Sequence, residues 1–289
     1  MNDLTRIRLY HEDCVAGIPV RVGGGHVDLV VTSPPYNLGV KYNTYQDTKR
    51  WGDYIEWTVR WASVVRDALK DNGSVFLNLG CSPSSPLLPH AVIHALVEEH
   101  KLFVLQNTIH WVKSIAMPDK DGQEIQRGHY KPINSERFIN DCHEYVFHLT
   151  KHGSTALDRK SVGVPYADKS NIERWKHSNG GDLKCRGNTW FVPYKTISNR
   201  AKDRPHPATF PTALAVNCIR LHGKSRNSVV MDPFLGIGHA CFAAVECKVK
   251  EFIGFEIDAE YMKIASDVLD CSYFKINQKN PGTPHQSSA

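Results

Sequence analysis

The segment that most constrains this chain is residues 32–37, Thr-Ser-Pro-Pro-Tyr-Asn. It follows an apolar run at 27–31, which predicts a short buried strand. Two consecutive prolines end that strand and remove two backbone N–H donors, whereas their carbonyls remain as acceptors. In an open α/β sheet, ligands bind at the carboxyl ends of the strands. A hydroxyl, rigid carbonyls and an aromatic ring at this position suit a ligand with an amino group on a flat ring.

Strand-like and helix-like patterns alternate along most of the sequence, which predicts an α/β fold with a mostly parallel sheet and crossover helices. The predicted strands are residues 7–10, 27–31, 74–80, 103–113 and 143–149. The predicted helices are residues 14–18, 53–69, 87–100 and 212–221. Residues 114–137 are polar and interrupt the alternation, so we expect a long loop there.

A second motif near the end of the chain predicts a strand, a glycine turn and a helix at 228–240. Gly236 and Gly238 allow the backbone to approach a ligand closely. Cys241 occupies the place of the third glycine in a dinucleotide fingerprint, so a pyrophosphate ligand is not expected. An acid at the end of the following strand commonly binds ribose hydroxyls. Glu256 is the first candidate for that role, and Asp258 is the second.

The segment 151–204 differs in composition from the rest of the chain. It carries twelve Lys and Arg residues, five acidic residues and interspersed aromatic residues. Its net charge of +7 exceeds the +5 of the whole chain. This pattern is typical of a surface that follows phosphates and contacts bases, although a solvated irregular insertion has the same composition.

Composition places the chain among cytosolic α/β proteins. The 289 residues are 41% hydrophobic, enough for a large core. None of the eight cysteines forms a C-x-x-C pair and their spacing fits no zinc pattern, so we expect reduced thiols and no metal site. The N-terminus has no apolar signal core, and no stretch of about 18 apolar residues predicts a membrane span. We therefore expect a cytosolic protein, and the family resemblance described below implies the prokaryotic cytosol or nucleoid.

These motifs resemble those of the DNA amino-methyltransferases. Residues 33–36 are similar to motif IV of that family, S/D/N-P-P-Y/F, and residues 232–238 with 254–258 are similar to its motifs I and II. The predicted helix at 212–221 resembles its motif X. Motif IV precedes motif I here, which is the circularly permuted order of class β. The resemblance implies a Rossmann-like fold with a permuted seven-stranded sheet flanked by helices, plus an irregular basic target-recognition insertion.

The resemblance also implies a division of the chain into four parts. Residues 1–150 would form the catalytic half of the methyltransferase domain, and 151–205 the target-recognition insertion. Residues 206–276 would form the cofactor-binding half, and 277–289 a flexible tail.

The cofactor implied by the resemblance is S-adenosylmethionine. Asp13 is a candidate acceptor for the adenine amino group of the cofactor, and a helix cap is the alternative role for this residue. Phe234 would lie along the cofactor and Glu256 would accept its ribose hydroxyls. The candidate cofactor-binding residues are Asp13, Asp232, Pro233, Phe234, Gly236, Gly238, Glu256 and Asp258.

The catalytic residues implied by the resemblance are Ser33, Pro34, Pro35 and Tyr36. The Ser33 side chain and the Pro34 carbonyl would accept the two N–H bonds of an adenine or cytosine amino group, and Tyr36 would stack on the base. Methyl transfer would be direct, onto a base that is flipped out of the duplex. The candidate DNA-binding residues are Lys41, Tyr42, Arg127, Lys176, Arg186 and Trp190.

Several questions stay open at the level of the sequence. Serine at position 33 favours cytosine N4, although the geometry serves adenine N6 as well. Double-stranded DNA is the expected partner, and a homodimer and a cognate restriction endonuclease are compatible with the resemblance. The alternatives are a methyltransferase of RNA bases or of protein glutamine amides, and a non-catalytic DNA-binding regulator.

Overall fold

The computed structural model describes residues 5–128, 135–139, 141–174, 181–195, 209–223 and 225–268. The side chains at 114–118, 124–128 and 194–195 lie outside this description, as does the predicted tail at 277–289. No helix in the described ranges is both long enough and apolar enough to cross a membrane.

The strands and helices alternate for most of the chain. The strands are β1 (Arg6–His11), β2 (Val27–Thr32), β3 (Leu69–Leu79), β4 (Val104–Pro118), β5 (Glu124–Gly128), β6 (His143–Thr150), β7 (Thr189–Lys195), β8 (Val229–Asp232) and β9 (Glu251–Glu256). The helices are α1 (Cys14–Arg21), α2 (Trp51–Ala68), α3 (Leu88–His94), α4 (Ser170–Arg174), α5 (Thr212–His222), α6 (His239–Glu246) and α7 (Ala259–Val268). A π-helical turn, Ala95–Glu99, extends α3, and a 3₁₀ turn, Ser225–Asn227, precedes β8.

The described strands form one sheet in the order β1-β9-β8-β2-β3-β6-β4-β5, with β7 also paired to β4. The first five strands are parallel to one another, and β6 is antiparallel to both of its neighbours. The seven strands from β1 to β4 in this order confirm the predicted permuted sheet. β2 and β8 are adjacent although about two hundred residues separate them, so both sequence motifs meet at the centre of the carboxyl edge.

Helices cover both faces of the sheet, because strand side chains alternate between two apolar clusters. Leu29 and Val31 of β2 point into the cluster that contains α5 and α6. Val30 points into the opposite cluster, which contains α1, α2 and α3. Both clusters are closed to solvent, so β2 is fixed from both sides and its carboxyl end has a defined position.

Two expectations about the second half of the sheet were wrong. Residues 114–137 are not one long loop, because β4 continues to Pro118 and pairs with β5 in an antiparallel hairpin. The basic insertion is not irregular throughout, because β7 adds to the sheet parallel to β4. The partner of β7 lies about eighty residues earlier in the chain, whereas β4 and β5 pair locally across residues 119–123.

Shortening a buried side chain at the centre of the sheet should lower the stability of the protein. Leu77 in β3 is completely buried, so Leu77→Ala leaves a cavity and should lower the free energy of unfolding by about 2–5 kcal/mol. Val20 is 77% exposed, so Val20→Ala should change it by no more than about 0.5 kcal/mol. Urea unfolding of both variants measures the difference, and equal losses would contradict the assigned core.

Candidate active site

The two motif strands are joined by a buried hydrogen bond at their carboxyl ends. The hydroxyl of Thr32, the last residue of β2, donates to Asp232 Oδ1 at 2.7 Å. The same oxygen accepts the backbone N–H of Phe234 at 3.0 Å. One carboxylate oxygen therefore sets the position of the Pro-Pro turn relative to the glycine turn.

The environment of Asp232 disfavours its charged form. Burial raises the pKa of this carboxyl from 3.8 to about 7, and the nearby Glu256 carboxylate acts in the same direction. The hydrogen bonds from Thr32 and Phe234 oppose that increase. Asp232 is 1% exposed and does not line the cleft, so its role is to join the two motifs rather than to contact the cofactor.

Behind the Pro-Pro turn lies a network of polar side chains. The Ser33 and Tyr36 hydroxyls are 2.7 Å apart, and Tyr36 donates to Glu144 Oε2 at 3.1 Å. Asn78 Nδ2 donates to the Tyr36 hydroxyl and to Glu144 Oε2, both at 2.7 Å. Lys113 Nζ lies 2.6 Å from Glu144 Oε1. Glu144, which the sequence analysis did not single out, is thus linked to Ser33 through Tyr36, and Lys113 is linked in turn through Glu144.

Pro35 of the turn accepts a hydrogen bond from helix α2. The Tyr54 hydroxyl of α2 donates to the Pro35 carbonyl at 3.1 Å. This bond holds the turn against the buried face of α2, and Ser33, Pro34, Pro35 and Tyr36 all line the cleft.

The glycine motif forms the opposite wall of the cleft. Gly236 and Gly238 have backbone φ angles of 53° and 94°, which residues with a Cβ atom rarely adopt, so both positions favour glycine. Gly236 N donates to Glu256 Oε2 at 2.7 Å, and Asp258 N donates to Glu256 Oε1 at 2.9 Å. A carboxylate oxygen has two acceptor positions, so Glu256 keeps capacity for two further donors such as ribose hydroxyls.

Residues 37–49, here called the covering loop, extend across the cleft. Asp47 accepts the backbone N–H groups of Asn37, Leu38 and Val40 at 2.7–3.0 Å, which closes the loop on itself. Thr44 then donates to Asp258 Oδ2 at 2.6 Å. The covering loop is therefore attached to the cofactor motif.

The cleft between these walls suits the predicted cofactor. Aromatic rings line it beside the glycine motif, with Trp57 5.5 Å from Phe234 and 5.4 Å from Tyr45 between ring centroids. Glu256 and the Ser33–Tyr36 turn both line it. An apolar wall, an acceptor for hydroxyls and a turn for a planar amine therefore occur together, and the residues fit S-adenosylmethionine next to an acceptor base.

The other proposed cofactor residues have several roles. Asp13 lines the cleft and also caps α1, because its Oδ1 accepts from Val15 N at 2.8 Å and Ala16 N at 3.3 Å. Asp258 lines the cleft and begins α7 by accepting from the N–H groups of Glu260 and Tyr261. Pro233, Phe234 and Gly236 line the cleft, whereas Gly238 lies behind it as the cap of α6.

The candidate DNA contacts do not form one group. Trp190 is 1% exposed and packs in the core, so its assignment as a DNA-binding residue was wrong. Tyr42 lines the cleft among the cofactor candidates. Arg186 Nε donates to the Val162 carbonyl at 2.9 Å, and Lys41 is exposed on the covering loop. Lys176 and the side chain of Arg127 lie outside the described residues.

The sequence contained a weak signal for some of the missed residues. Asn78 and Lys113 lie near the carboxyl ends of strands that were predicted, which is the edge where ligands bind. Glu144 lies at the start of β6 and reaches that edge because β6 runs antiparallel, a direction that the sequence does not reveal.

The raised pKa of Asp232 predicts a dependence of stability on pH. Between pH 4 and pH 7 the folded state keeps a proton that the unfolded state has lost, so the contribution of this group falls as pH rises through about 7. Asp232→Asn keeps an oxygen for both hydrogen bonds and cannot ionise. The variant should therefore gain stability relative to the parent between pH 4.5 and 8, on the order of a few kcal/mol at about 1.4 kcal/mol per pKa unit.

Urea unfolding at the two pH values tests this prediction. Asp53→Asn is the matched control, because the Asp53 side chain is 53% exposed and pairs with Arg50 on the surface. A constant difference between Asp232→Asn and the parent at both pH values would show that Asp232 is ionised in the fold throughout.

Known proteins similar to this chain agree with the geometry. A family model described as DNA methylase, of the N6/N4 type, matches residues 27–267. The type II methyltransferase M.HpaI of Haemophilus parainfluenzae is 25% identical over 250 residues, which are 86% of this chain and 69% of that protein. The DNA adenine methyltransferase YhdJ of Escherichia coli K12 is 24% identical over 270 residues, covering 91% and 82% of the two chains.

Solved structures show the same fold. The cytosine-N4-specific PvuII DNA methyltransferase superposes with a TM-score of 0.64 at 19% identity, covering 91% of this chain and 86% of that one. A DNA modification methylase of Thermus thermophilus gives a TM-score of 0.60 at 21% identity, covering 94% and 99%. With the family model spanning both motifs and the sheet between them, the chain belongs to the DNA methylase family, the S-adenosylmethionine-dependent methyltransferases of adenine N6 and cytosine N4.

Proposed function

We propose that this protein transfers a methyl group to the exocyclic amino nitrogen of a flipped-out adenine or cytosine in duplex DNA, and that residues 33–36 hold the acceptor. The observation that carries this proposal is the meeting of the Pro-Pro turn and the glycine motif in one cleft. Ser33–Tyr36 and Pro233–Ile237 come from opposite ends of the chain and line the same space.

The chemical difficulty is the weak nucleophilicity of the amino nitrogen, whose lone pair is delocalised into the ring. Acceptance of its two N–H bonds by the Ser33 hydroxyl and the Pro34 carbonyl localises that pair. S-adenosylmethionine supplies the electrophilic methyl group. The contribution of the protein is position and electrostatics, without a covalent enzyme intermediate. Tyr36 stacks on the base and offsets part of the few kcal/mol that flipping costs.

The binding roles are divided between the two walls. Glu256 binds the ribose hydroxyls through the acceptor positions that its backbone contacts leave, and Phe234 with Trp57 packs against the cofactor. Asp13 offers its second carboxylate oxygen to the adenine amino group. Lys41, exposed at the rim, contacts the DNA backbone, and Arg186 orients the basic segment through Val162.

Incubation with methyl-labelled S-adenosylmethionine and mixed genomic DNA, followed by nucleoside mass spectrometry, tests the reaction and identifies the base. We expect N4-methylcytosine, which Ser33 favours, or N6-methyladenine. Of the curated relatives, YhdJ is named an adenine methyltransferase, whereas the name of M.HpaI gives no base. Label in RNA or glutamine peptides instead of duplex DNA would contradict the proposal.

Two substitutions distinguish the role of the Pro-Pro turn in methyl transfer from the role of Glu256 in cofactor binding. Tyr36→Ala should abolish methyl transfer and leave the affinity for the cofactor unchanged, because the ring acts on the base. Glu256→Gln should weaken cofactor binding about 10–100-fold, the loss expected when hydrogen bonds to a charged group are removed. Calorimetry measures the affinity and a single-turnover assay measures the transfer. Near-normal turnover of Tyr36→Ala would exclude the stacking role.

We also propose that the enzyme works beside a restriction endonuclease of the same sequence specificity, and that it forms a homodimer. The support for the endonuclease is that four similar proteins are named type II methyltransferases. DNA methylated by this enzyme should resist the endonuclease that cleaves its recognition sequence, and ultracentrifugation with cognate DNA reports the dimer. Cleavage of fully methylated DNA by that endonuclease would contradict the first proposal. A protein that stays monomeric on DNA at micromolar concentration would contradict the second.

A further inference from the structure

We propose that Glu144 completes the active site as the final proton acceptor of a chain that runs from the target amino group through Ser33 and Tyr36. This inference deepens the proposed function and rests on it. It assigns a positioning role to a residue outside both sequence motifs, and it explains how a neutral serine can act where a stronger acceptor would be expected.

The available donors and acceptors allow only one direction for this series of hydrogen bonds. Tyr36 has one hydroxyl proton, which it donates to Glu144 Oε2 at 3.1 Å. The bond of 2.7 Å between the Ser33 and Tyr36 hydroxyls must then be donated by Ser33. A serine whose proton is engaged in this way presents its lone pairs elsewhere, and the cleft that Ser33 lines is where the target amine would lie.

Asn78 fixes the same direction independently. Its Nδ2 group has two protons and lies 2.7 Å from both the Tyr36 hydroxyl and Glu144 Oε2, whereas its contact with Ser33 Oγ is longer, at 3.5 Å. Turning the amide would place Oδ1 against a carboxylate oxygen, which is repulsive. The Tyr36 oxygen thus accepts from Ser33 and Asn78 and donates to Glu144, so its hydrogen-bonding capacity is filled.

Glu144 is paired with a lysine in a restricted space. Lys113 Nζ lies 2.6 Å from Oε1, and the two side chains are 20% and 15% exposed. A Cβ at Gly80 would lie 3.1 Å from Glu144 Cγ and Cδ and from Tyr36 Cε2, so glycine leaves the room that both side chains occupy. Burial, and then the Glu144 carboxylate, raise the pKa of Tyr36 well above its ordinary value, so the phenol stays protonated and passes a proton without accumulating charge.

The proton balance of the reaction is complete with these groups. The amino nitrogen uses its lone pair to form a bond to the methyl carbon while the S–CH₃ bond of the sulfonium breaks and its electron pair passes to sulfur, which leaves a neutral thioether. The nitrogen must also lose one proton. That proton moves to Ser33 Oγ as the Ser33 proton moves to Tyr36 Oη and the Tyr36 proton moves to Glu144. The final state holds a methylated neutral amine, two neutral hydroxyls and a protonated Glu144, which returns its proton to solvent on product release.

The test compares single-turnover rates, cofactor affinity and stability in three variants. Glu144→Gln and Tyr36→Phe should each slow methyl transfer roughly 10²-fold, the lower end of the range for general acid–base catalysis, with unchanged calorimetric affinity for S-adenosylmethionine. The double variant should be no slower than either single variant, since both interrupt one chain. The matched control is Glu251→Gln, because Glu251 is a carboxylate with 7% exposure paired with Arg8 and His26 away from the cleft.

A structural role would affect other quantities. If Glu144 only supported the fold, Glu144→Gln and Glu251→Gln would lower the melting temperature alike and leave the chemical step within about threefold of the parent, and that result would overturn the relay. The relay also predicts a curved proton inventory in mixed H₂O and D₂O for the parent, and a loss of that curvature in Tyr36→Phe. A chemical step of the parent without any solvent isotope effect would equally overturn it.

The outcome for the parent enzyme separates this inference from the proposed function. Methylation of DNA by the parent, with full activity in Glu144→Gln, would refute the relay alone. No methylation of DNA by the parent, with the cofactor bound, would refute both.

Discussion

The hydrogen bond from Thr32 to Asp232 is the constraint on which the site depends. It is buried, it joins strands that are two hundred residues apart, and it lies where both strands end. It links the two turns beyond the last ladder pair of β2 and β8, Val30 with Met231. The cost is a carboxyl group in an apolar environment, which is visible as its raised pKa. The fold thus gives up some stability for a defined distance between the two walls of the cleft.

The other carboxylates of the site differ in the groups from which they accept hydrogen bonds. Glu256 accepts two backbone N–H groups and retains capacity for a ligand. Asp258 and Asp47 are occupied by the covering loop, so that loop belongs to the cofactor side of the site. Glu144 accepts from Tyr36 and Asn78. Each role follows from position relative to the carboxyl edge, which collects these groups from strands throughout the sheet.

The agreement between the sequence and the fold was best where a local pattern coincided with a tertiary role. The strand before Ser33 and the glycine turn at Gly236 were predicted because apolar runs, prolines and glycines act through neighbouring residues. Trp190 shows the opposite case. It was assigned to DNA because it lies in a basic segment, yet it is buried on a strand whose partner is about eighty residues earlier. The hairpin of β4 and β5 is a different case, because its pairing is local and was missed when the polar residues of 114–137 were interpreted as a loop.

The sequence by itself determined the chemistry at each end of the cleft. Proline geometry, glycine φ angles and the acid after a strand act over a few residues, so an acceptor turn and a cofactor turn could be identified in isolation. Only the tertiary structure decided which side chains complete them. Glu144 reaches Tyr36 because β6 runs antiparallel and delivers its first residues to the edge where parallel strands deliver their last. Strand direction and neighbour order depend on the packing of the whole sheet, and side-chain alternation is the same for either direction.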